Sequence, residues 1–451
     1  MSGILQFARR WFPQGQFARS VSVLAGGTAL SQGLAVLAAP VLTRLYRAED
    51  FGYFQVYMSF MAFAILAVTL RYEQAIFLPD REEIAANLVA VTLGTVVMIS
   101  VLCGAAVCVA ARRHILPPIA EGLRPYLWLV PLSMCGGGIY QTLSLWALRQ
   151  RAYSQVTATK LTQIFSMLGA QILVGVVHRG PLGLLLGDAV GRMNGSLGLA
   201  RLSWNRGREV FRSIRWKTMW SAATRYRRFP LISTGSSLIS AAGYALPLLV
   251  LGEFYGAKTL GWLALGDRVL GAPGLLIGQA VSQVYSVEAA NASNSNPEAM
   301  PGLLLRLMRR LALLGFLPCV IFLIFSPFLF AFVFGEAWRE AGVYASLLAL
   351  MHYVAFVAGP FTPTLNLLEH QFWQLAWDVG RLALTLGSVW LAHHWGLSSR
   401  WSVGAFAAAA LCGYALHPLL CYWAICRKIR QFRTASPKAV ATSAVSGMGE
   451  L

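Results

Sequence analysis

Long apolar stretches alternate with short polar segments along almost the whole chain. Two of them, Leu311–Phe334 and Phe229–Gly252, contain no charged side chain and exceed the twenty or so helical residues needed to cross a bilayer. Neither shows the period-two alternation typical of barrel strands, so both are predicted to be transmembrane helices. The pattern predicts an all-α polytopic membrane protein with about 12 transmembrane helices, near residues 21–45, 51–71, 84–111, 125–148, 155–177, 181–201, 229–252, 259–286, 311–334, 341–366, 371–393 and 402–425.

Polar segments divide these helices into two sets of six. Residues 1–20 alternate aromatic and basic side chains, which predicts a short interfacial helix on the cytoplasmic side. The predicted domains that follow are an N-terminal six-helix bundle at 21–201, a basic cytoplasmic loop at 202–228, a C-terminal six-helix bundle at 229–426 and a polar cytoplasmic tail at 427–451.

The two halves share an internal repeat with an offset of about 208 residues. The matched positions are Gly27 with Gly235, Pro40 with Pro247, and Tyr46–Gly52 with Tyr255–Gly261. Since both halves would have the same sidedness, the repeat predicts two pseudo-symmetric bundles around a central cavity, related by an axis along the membrane normal. The matched glycines and prolines are either gating hinges or sites of close helix packing and static kinks.

Composition and charge support a membrane protein and give it an orientation. Hydrophobic residues make up 57% of the chain and charged residues 12%, about half the charged fraction of a soluble domain. With the N-terminus in the cytoplasm, about two thirds of the 37 Lys and Arg residues lie on the cytoplasmic side, as the positive-inside rule requires. The net charge of +19 is therefore attributed to loops facing lipid headgroups, and not to nucleic acid binding. Both termini are predicted to be cytoplasmic.

Three acid–base pairs lie inside predicted spans, where charge is costly. They are Asp188 with Arg192, Asp267 with Arg268, and Asp378 with Arg381. A charged side chain near the bilayer centre costs at least about 3 kcal/mol unless it meets a partner or a water-filled cavity. The three pairs therefore predict a polar interior, which in a membrane protein favours transport.

Cysteine and histidine give no sign of a catalytic or metal site. The seven cysteines lie in apolar spans and lack metal-ligand spacing. His352 lies inside a span, where it is either a proton relay or a hydrogen-bonded structural residue. The sequence has no HExxH motif, nucleophile elbow, Walker loop or CxxC pair. We therefore predict that the protein is not an enzyme and binds no cofactor or metal.

Several segments, in their order and spacing, resemble bacterial polysaccharide flippases of the O-antigen and exopolysaccharide type. The segments are Gly26–Gly52, Leu70–Ile76, Gly278–Val284, Phe334–Ala341, Pro363–Leu368 and Trp377–Arg381. These flippases belong to the multidrug/oligosaccharidyl-lipid/polysaccharide exporter superfamily. The resemblance covers residues from about 20 to 425, nearly all of the chain.

The resemblance implies a function, a location and partners. The implied function is to flip an undecaprenyl-diphosphate-linked oligosaccharide from the cytoplasmic to the periplasmic leaflet of the bacterial inner membrane, by alternating access. The lipid-linked oligosaccharide and membrane lipids are the implied ligands, and a polysaccharide polymerase and a chain-length regulator are candidate partner proteins. The peptidoglycan-precursor relatives have fourteen spans. The polar tail predicted after the twelfth span departs from that pattern, and this departure argues against lipid II as the substrate.

The embedded cations suit such a substrate, because guanidinium groups bind phosphate bidentately and stay charged. Arg192, Arg268 and Arg381 are the predicted substrate-binding residues of the cavity. Arg71 is predicted to lie at its cytoplasmic mouth, and Arg44 at the outer mouth, where it is either a ligand or a topological anchor.

The carboxylates have two interpretations. Asp188 and Asp378 each share a helix face with their arginine, so each either neutralises that arginine or couples transport to an ion. Asp267 and Arg268 are adjacent and point in different directions, so Asp267 is freer to act alone. Glu73, near the inner mouth, has the same two interpretations.

Two other functions remain as alternatives. A multidrug or cation antiporter of the same superfamily would share the span count but should have a less cationic cavity. A polytopic polysaccharide polymerase or ligase would carry a large outer loop with charged catalytic residues, whereas the predicted outer loops are short.

Overall fold

The computed structural model describes residues 16–446, which form helices, turns and loops without any strand. Each α-helix is numbered in chain order. They are α1 Gln16–Leu37, α2 Ala39–Leu45, α3 Ala48–Thr69, α4 Tyr72–Ala75, α5 Glu82–Arg112, α6 Leu129–Arg149, α7 Tyr153–Val177, α8 Leu182–Arg212, α9 Trp216–Arg225, α10 Thr234–Pro273, α11 Gln279–Ser295, α12 Met300–Phe334, α13 Arg339–Ala358, α14 Pro363–Leu367, α15 Gln371–His394 and α16 Ser399–Ser446.

Short 3-10 and π segments connect some of these helices. The 3-10 segments are Pro118–Tyr126, Pro297–Ala299, Glu336–Trp338 and Gly359–Phe361, and the π segments are Phe229–Ser233 and Gly274–Gly278. Irregular helical turns of this kind mark points where the regular hydrogen-bond ladder shifts by one residue.

The predicted spans correspond to helices throughout the described chain. Eight segments are long and apolar enough to cross a membrane, and one of them, Ser237–Ser293, covers most of the seventh and eighth predicted spans. Helices α6, α8 and α15 fall outside that criterion but coincide with the predicted fourth, sixth and eleventh spans. The chain is therefore an all-α, multi-pass membrane protein, as predicted. Residues 1–15 of the predicted interfacial helix and residues 447–451 of the predicted tail lie outside the described residues.

Contacts divide the chain into two compact units. The first comprises Met1–Leu265 and Ala331–Trp338, and the second Gly266–Phe330 and Arg339–Leu451. In the first unit, α7 and α8 make the most extensive helix contact, followed by α6 with α8. In the second unit, α16 packs along both α13 and α15. The bundle boundaries derived from the sequence stay predictions.

In the first unit, the two repeated segments meet at their glycines. A Cβ at Gly52 would lie 1.8 Å from the carbonyl oxygen of Ala257, and a Cβ at Gly261 would lie 1.7 Å from that of Ala48. Ala48 and Ala257 occupy the same place in the repeat, four residues before the matched glycine. Each copy of the repeat thus contacts the other through equivalent residues, backbone against backbone.

Each copy of the repeat also contacts a short 3-10 helix within the first unit. The short helix Pro118–Tyr126 binds the second copy, where the Ile119 amide donates to Glu253 Oε2 at 3.1 Å. The short helix Glu336–Trp338 binds the first copy, where the Trp338 indole donates to the Thr43 carbonyl at 3.1 Å. The predicted internal repeat is therefore visible in the packing as well as in the sequence.

The predicted hinge positions differ in their surroundings. A Cβ at Gly27 would lie 2.1 Å from Thr157 Cγ2, which is the close-packing alternative, whereas nothing approaches a Cβ at Gly235 within 4 Å. Pro40 lies at the first turn of α2, immediately after the break between α1 and α2. In α10, where Pro247 lies, the non-helical backbone is at Gly256 (φ 85°), a conformation that favours glycine. A gating role for these residues stays a prediction.

Candidate functional site

In the first unit, a buried carboxylate joins an arginine and a tyrosine. Asp188 on α8 is only 5% exposed. Its Oδ2 accepts a hydrogen bond from Nε of Arg192, one turn later on the same helix, at 2.6 Å. The same oxygen accepts the hydroxyl of Tyr57 on α3 at 2.9 Å. The predicted ion pair is present, and Tyr57 ties it to a second helix.

Arg192 retains donors beyond this ion pair. Its Nη2 lies 3.9 Å from the thioether sulfur of Met58, a weak acceptor. Among the described residues, the hydrogen-bond partners of this guanidinium are Asp188 and Met58. Since Asp188 occupies Nε alone, most of the guanidinium fork is available to an anionic oxygen.

Glycines on α6 make the space for this arrangement. A Cβ at Gly136 would approach Met193 Sδ to 3.0 Å, and one at Gly137 would approach Arg192 Nη1 to 3.2 Å. The hydroxyl of Ser196 also donates to the Gly136 carbonyl at 2.5 Å, which holds α8 against α6. Small residues at such contacts let membrane helices approach closely, so the glycine run 136–138 positions Arg192.

In the second unit, Arg381 on α15 lies between two aromatic rings. Its Cζ is 5.1 Å from the centre of the Trp377 ring and 5.4 Å from that of Tyr414. Asp378, three residues earlier, contacts Arg381 at 3.8 Å. A Cβ at Gly413 on α16 would approach Arg381 Cγ to 2.9 Å, so glycine leaves room for the side chain. Two ring faces and one carboxylate thus compensate the charge.

A polar network holds these groups in place. Gln374 donates to Asp378 Oδ2 at 3.3 Å, and its Oε1 lies 3.2 Å from His417 Nε2. The imidazole of His417 contacts the Trp377 ring edge-on at 4.4 Å. The Trp377 indole in turn donates to the Gly413 carbonyl at 2.8 Å. The side chains that orient Arg381 are therefore themselves hydrogen-bonded.

Asp267 has a hydrogen-bond partner that its position in the sequence did not indicate, and its separate role stays a prediction. Its Oδ1 lies 3.1 Å from Nε2 of His352 on α13, in a partly buried contact. A proton relay and a structural histidine both require a hydrogen-bond partner, so this contact is consistent with either interpretation of His352. Arg268 is half-buried and makes no hydrogen bond or ion pair with the residues that the structure describes. Asp267 and Arg268 therefore do not form an ion pair with each other, and this absence is what their adjacency predicted.

The two arginines predicted for the cavity mouths have local contacts. Arg71 (φ 58°) is, with Leu70, one of two left-handed residues between α3 and α4, and its Nη1 lies 3.5 Å from Glu73 Oε1. Glu73 is fully buried, and burial raises the pKa of its carboxyl above the usual range, against the opposing effect of Arg71. Arg44 is exposed and donates to the Pro40 carbonyl at 2.8 Å, at the start of its own helix. That contact fits the anchor alternative for Arg44.

Several residues of these clusters were not singled out from the sequence. Tyr57, Tyr414 and His417 gave no signal, because isolated tyrosines and histidines are common in membrane helices. Lys160 on α7 is a further partly buried cation, and it donates to Thr28 Oγ1 at 2.8 Å. Within residues 16–446, no three His, Cys, Asp or Glu side chains are grouped to hold a metal ion.

Solved structures with a similar fold are transporters. An inward-facing multidrug resistance MATE family transporter of the MOP superfamily matches 89% of this chain and 99% of its own, with a TM-score of 0.63 and 14% identity. A mutant MATE transporter from Vibrio cholerae matches 92% and 96%, with a TM-score of 0.61 and 12% identity. A MOP superfamily transporter from Pyrococcus furiosus, described by the reverse polarity of its binding pocket, matches 91% and 96%, with a TM-score of 0.61 and 14% identity. The chain therefore has the MATE fold of two helical bundles.

Sequence comparison gives the family. No curated protein sequence matches the chain. A family model described as polysaccharide biosynthesis protein matches residues 41–343, which is more than half of the 451 residues. The predicted family resemblance is thereby confirmed, and the chain belongs to the polysaccharide biosynthesis protein family.

Proposed function

We propose that this protein flips an undecaprenyl-diphosphate-linked oligosaccharide from the cytoplasmic to the periplasmic leaflet of the inner membrane, for surface polysaccharide synthesis. The observation that carries the proposal is the guanidinium of Arg192, which lies inside the helices with most of its fork unused. A diphosphate cannot cross hydrocarbon without such partners, since bidentate contacts to guanidinium groups replace its lost hydration.

The second unit offers a comparable cation. Arg381 is held by the Trp377 and Tyr414 rings and only loosely by Asp378, at 3.8 Å. Aromatic faces and a guanidinium group together suit a ligand that carries both sugar rings and phosphates. Arg268 is a third candidate, because no described acceptor occupies it. Alternating access of the two bundles would expose these cations first to the cytoplasm and then to the periplasm.

Family and fold support this proposal at a coarser level. Membership of a polysaccharide biosynthesis family supports a glycan substrate, and the MATE fold supports transport over catalysis. The proposed substrate also implies a location and partner proteins. We propose that the protein lies in the inner membrane with both termini in the cytoplasm, and that it associates with a polymerase and a chain-length regulator.

The test is surface polysaccharide export in cells that carry Arg192→Ala, Arg268→Ala or Arg381→Ala. We expect export, expressed per amount of folded protein in the membrane, to be lost or strongly reduced. Arg433→Ala is the matched control, because Arg433 pairs with Glu298 through a single contact at an exposed site, where an ion pair contributes little. Unchanged export in all three interior variants would contradict the cationic pathway.

A multidrug or cation antiporter is the second candidate. It is favoured by the buried contacts of Asp188 with Tyr57 and of Asp267 with His352, which could take up and release a cation. The two functions differ in their readouts. Deletion of an antiporter would raise drug susceptibility with surface glycan intact, whereas deletion of a flippase would remove the glycan.

A further inference from the structure

The helix α9, Trp216–Arg225, is fixed to the first unit along one side only. Ala222 is 3% exposed and belongs to a core cluster with residues of α4 and α5. Two long-range hydrogen bonds hold the helix there. The Tyr72 hydroxyl donates to the Ala223 carbonyl at 3.0 Å, and the Arg215 amide donates to Asn87 Oδ1 at 3.2 Å. The segment thus has a defined position, although it lies in the predicted basic loop.

The opposite side of α9 is exposed and amphipathic. Trp216 and Trp220, one turn apart, are 76% and 67% exposed. Lys217, Ser221 and Arg225 are exposed beside them. Tryptophan next to basic residues on one helical surface is typical of a segment that lies at the membrane–water interface.

A shallow, open surface cavity of about 680 Å³ lies at the C-terminal end of this helix. Its lining consists of the side chains Ser221, Thr224, Arg225, Arg227 and Arg228. No carboxylate is among these lining residues, so their three positive charges are not compensated locally. Arg227 and Arg228 are exposed, and the hydroxyl of Ser221 adds a short polar partner.

We propose that this cavity, together with Trp216 and Trp220, is a docking site for the diphosphate of a lipid-linked molecule at the cytoplasmic surface. Three guanidinium groups match a diphosphate better than the single charge of an ordinary phospholipid. The tryptophans beside them suit a ligand whose phosphates lie at headgroup depth while its lipid chain remains in the bilayer. The site would therefore receive the substrate before the substrate enters the helices. The identity of this ligand rests on the function proposed above.

The experiment is photo-crosslinking of the full-length protein in lipid nanodiscs with a photoactivatable analogue of undecaprenyl diphosphate. Adducts are mapped by peptide mass spectrometry to residues 214–228 and, separately, to the helices that carry Arg192 and Arg381. We expect adducts in 214–228, and we expect unlabelled undecaprenyl diphosphate and inorganic diphosphate, but not an equal mole fraction of phosphatidylglycerol, to suppress them. The combined variant R225Q/R227Q/R228Q should reduce these adducts by roughly tenfold or more, since charge-assisted contacts are lost.

The control variant R201Q/R208Q/R212Q removes three exposed arginines from the same polar region, outside the cavity. Adducts in 214–228 should be unchanged in this control. An equal loss in both variants, or equal competition by phosphatidylglycerol, would overturn the proposal in favour of general attraction to anionic lipid. Adducts found only in the helices of Arg192 and Arg381 would overturn this docking site but not the flippase proposal. Absence of adducts from residues 214–228 and from those helices would contradict the flippase proposal as well.

Discussion

Removing one charge of the Asp188–Arg192 pair should destabilise the protein more than removing both. Asp188 is 5% exposed and takes its strongest hydrogen bond from Arg192 at 2.6 Å. Arg192→Gln leaves that buried carboxylate with the Tyr57 hydroxyl as its remaining donor, and breaking a buried ion pair in this way costs about 3–5 kcal/mol. Asp188→Asn leaves a buried guanidinium uncompensated and should cost a similar amount.

The double variant D188N/R192Q removes both charges and keeps two side chains that can hydrogen-bond. We expect it to be more stable than either single variant, with a coupling energy of roughly 2–3 kcal/mol in the double-mutant cycle. The assay is the midpoint of thermal unfolding of the purified protein in detergent. For units of this size the single variants should unfold roughly 6–10 °C lower than the unaltered protein.

The pair Asp378–Arg381 provides the control cycle. Its atoms are 3.8 Å apart and Arg381 also contacts two aromatic rings, so its coupling energy should be smaller. Additive effects of D188N and R192Q would refute the reasoning. Export by D188N alone then separates the two interpretations of Asp188, because Arg192 is still present in that variant. If the carboxylate only neutralises a substrate-binding arginine, D188N should still export glycan in proportion to its folded protein; if the carboxylate couples transport to an ion, export should be lost.

Three further predictions concern the rest of the molecule. Gly52→Ala and Gly261→Ala should each cost at least about 1–3 kcal/mol of stability, measured as a lower unfolding midpoint, because the added Cβ overlaps a carbonyl oxygen. Gly94→Ala is the control: its Cβ would lie in open space, so this variant should be neutral or slightly stabilised. Equal midpoints for all three variants would contradict the packing. The raised pKa of Glu73 means that the folded protein binds more protons than the unfolded chain, so this residue's contribution to stability is fully present at acidic pH and is lost as pH rises through the folded-state pKa. Glu73→Gln should flatten the dependence of the unfolding midpoint on pH, and an unchanged slope would count against it. Reporter fusions within 202–228 should indicate the cytoplasm, and a periplasmic signal would invert the topology.

The sequence was sufficient for the helices and for contacts within a single helix. Uninterrupted apolar length determines where a chain can span a membrane, so the predicted spans all fall in helical segments. The i, i+4 spacing of Asp188 and Arg192 likewise places them on one face without reference to any other helix. Such local rules hold because their geometry is set by 3.6 residues per turn.

Contacts between helices could not be predicted in the same way. Tyr57 is 131 residues from Asp188, and His352 is 85 residues from Asp267. A soluble helix shows its inner face by its polar pattern, but a helix that is apolar all round gives no such signal. Its rotation is set by packing against neighbours, so the sequence left Asp267 without the partner that the structure gives it.

The reciprocal contact of Gly52 with Ala257 and of Gly261 with Ala48 has the form of a symmetric interface. In a dimer with two-fold symmetry, residue i of one subunit meets residue j of the other, and j meets i. The two copies of the repeat meet in this way inside one polypeptide. A single chain thus supplies both sides of an interface that a two-fold dimer would build from two subunits, and each glycine occupies the same position in it.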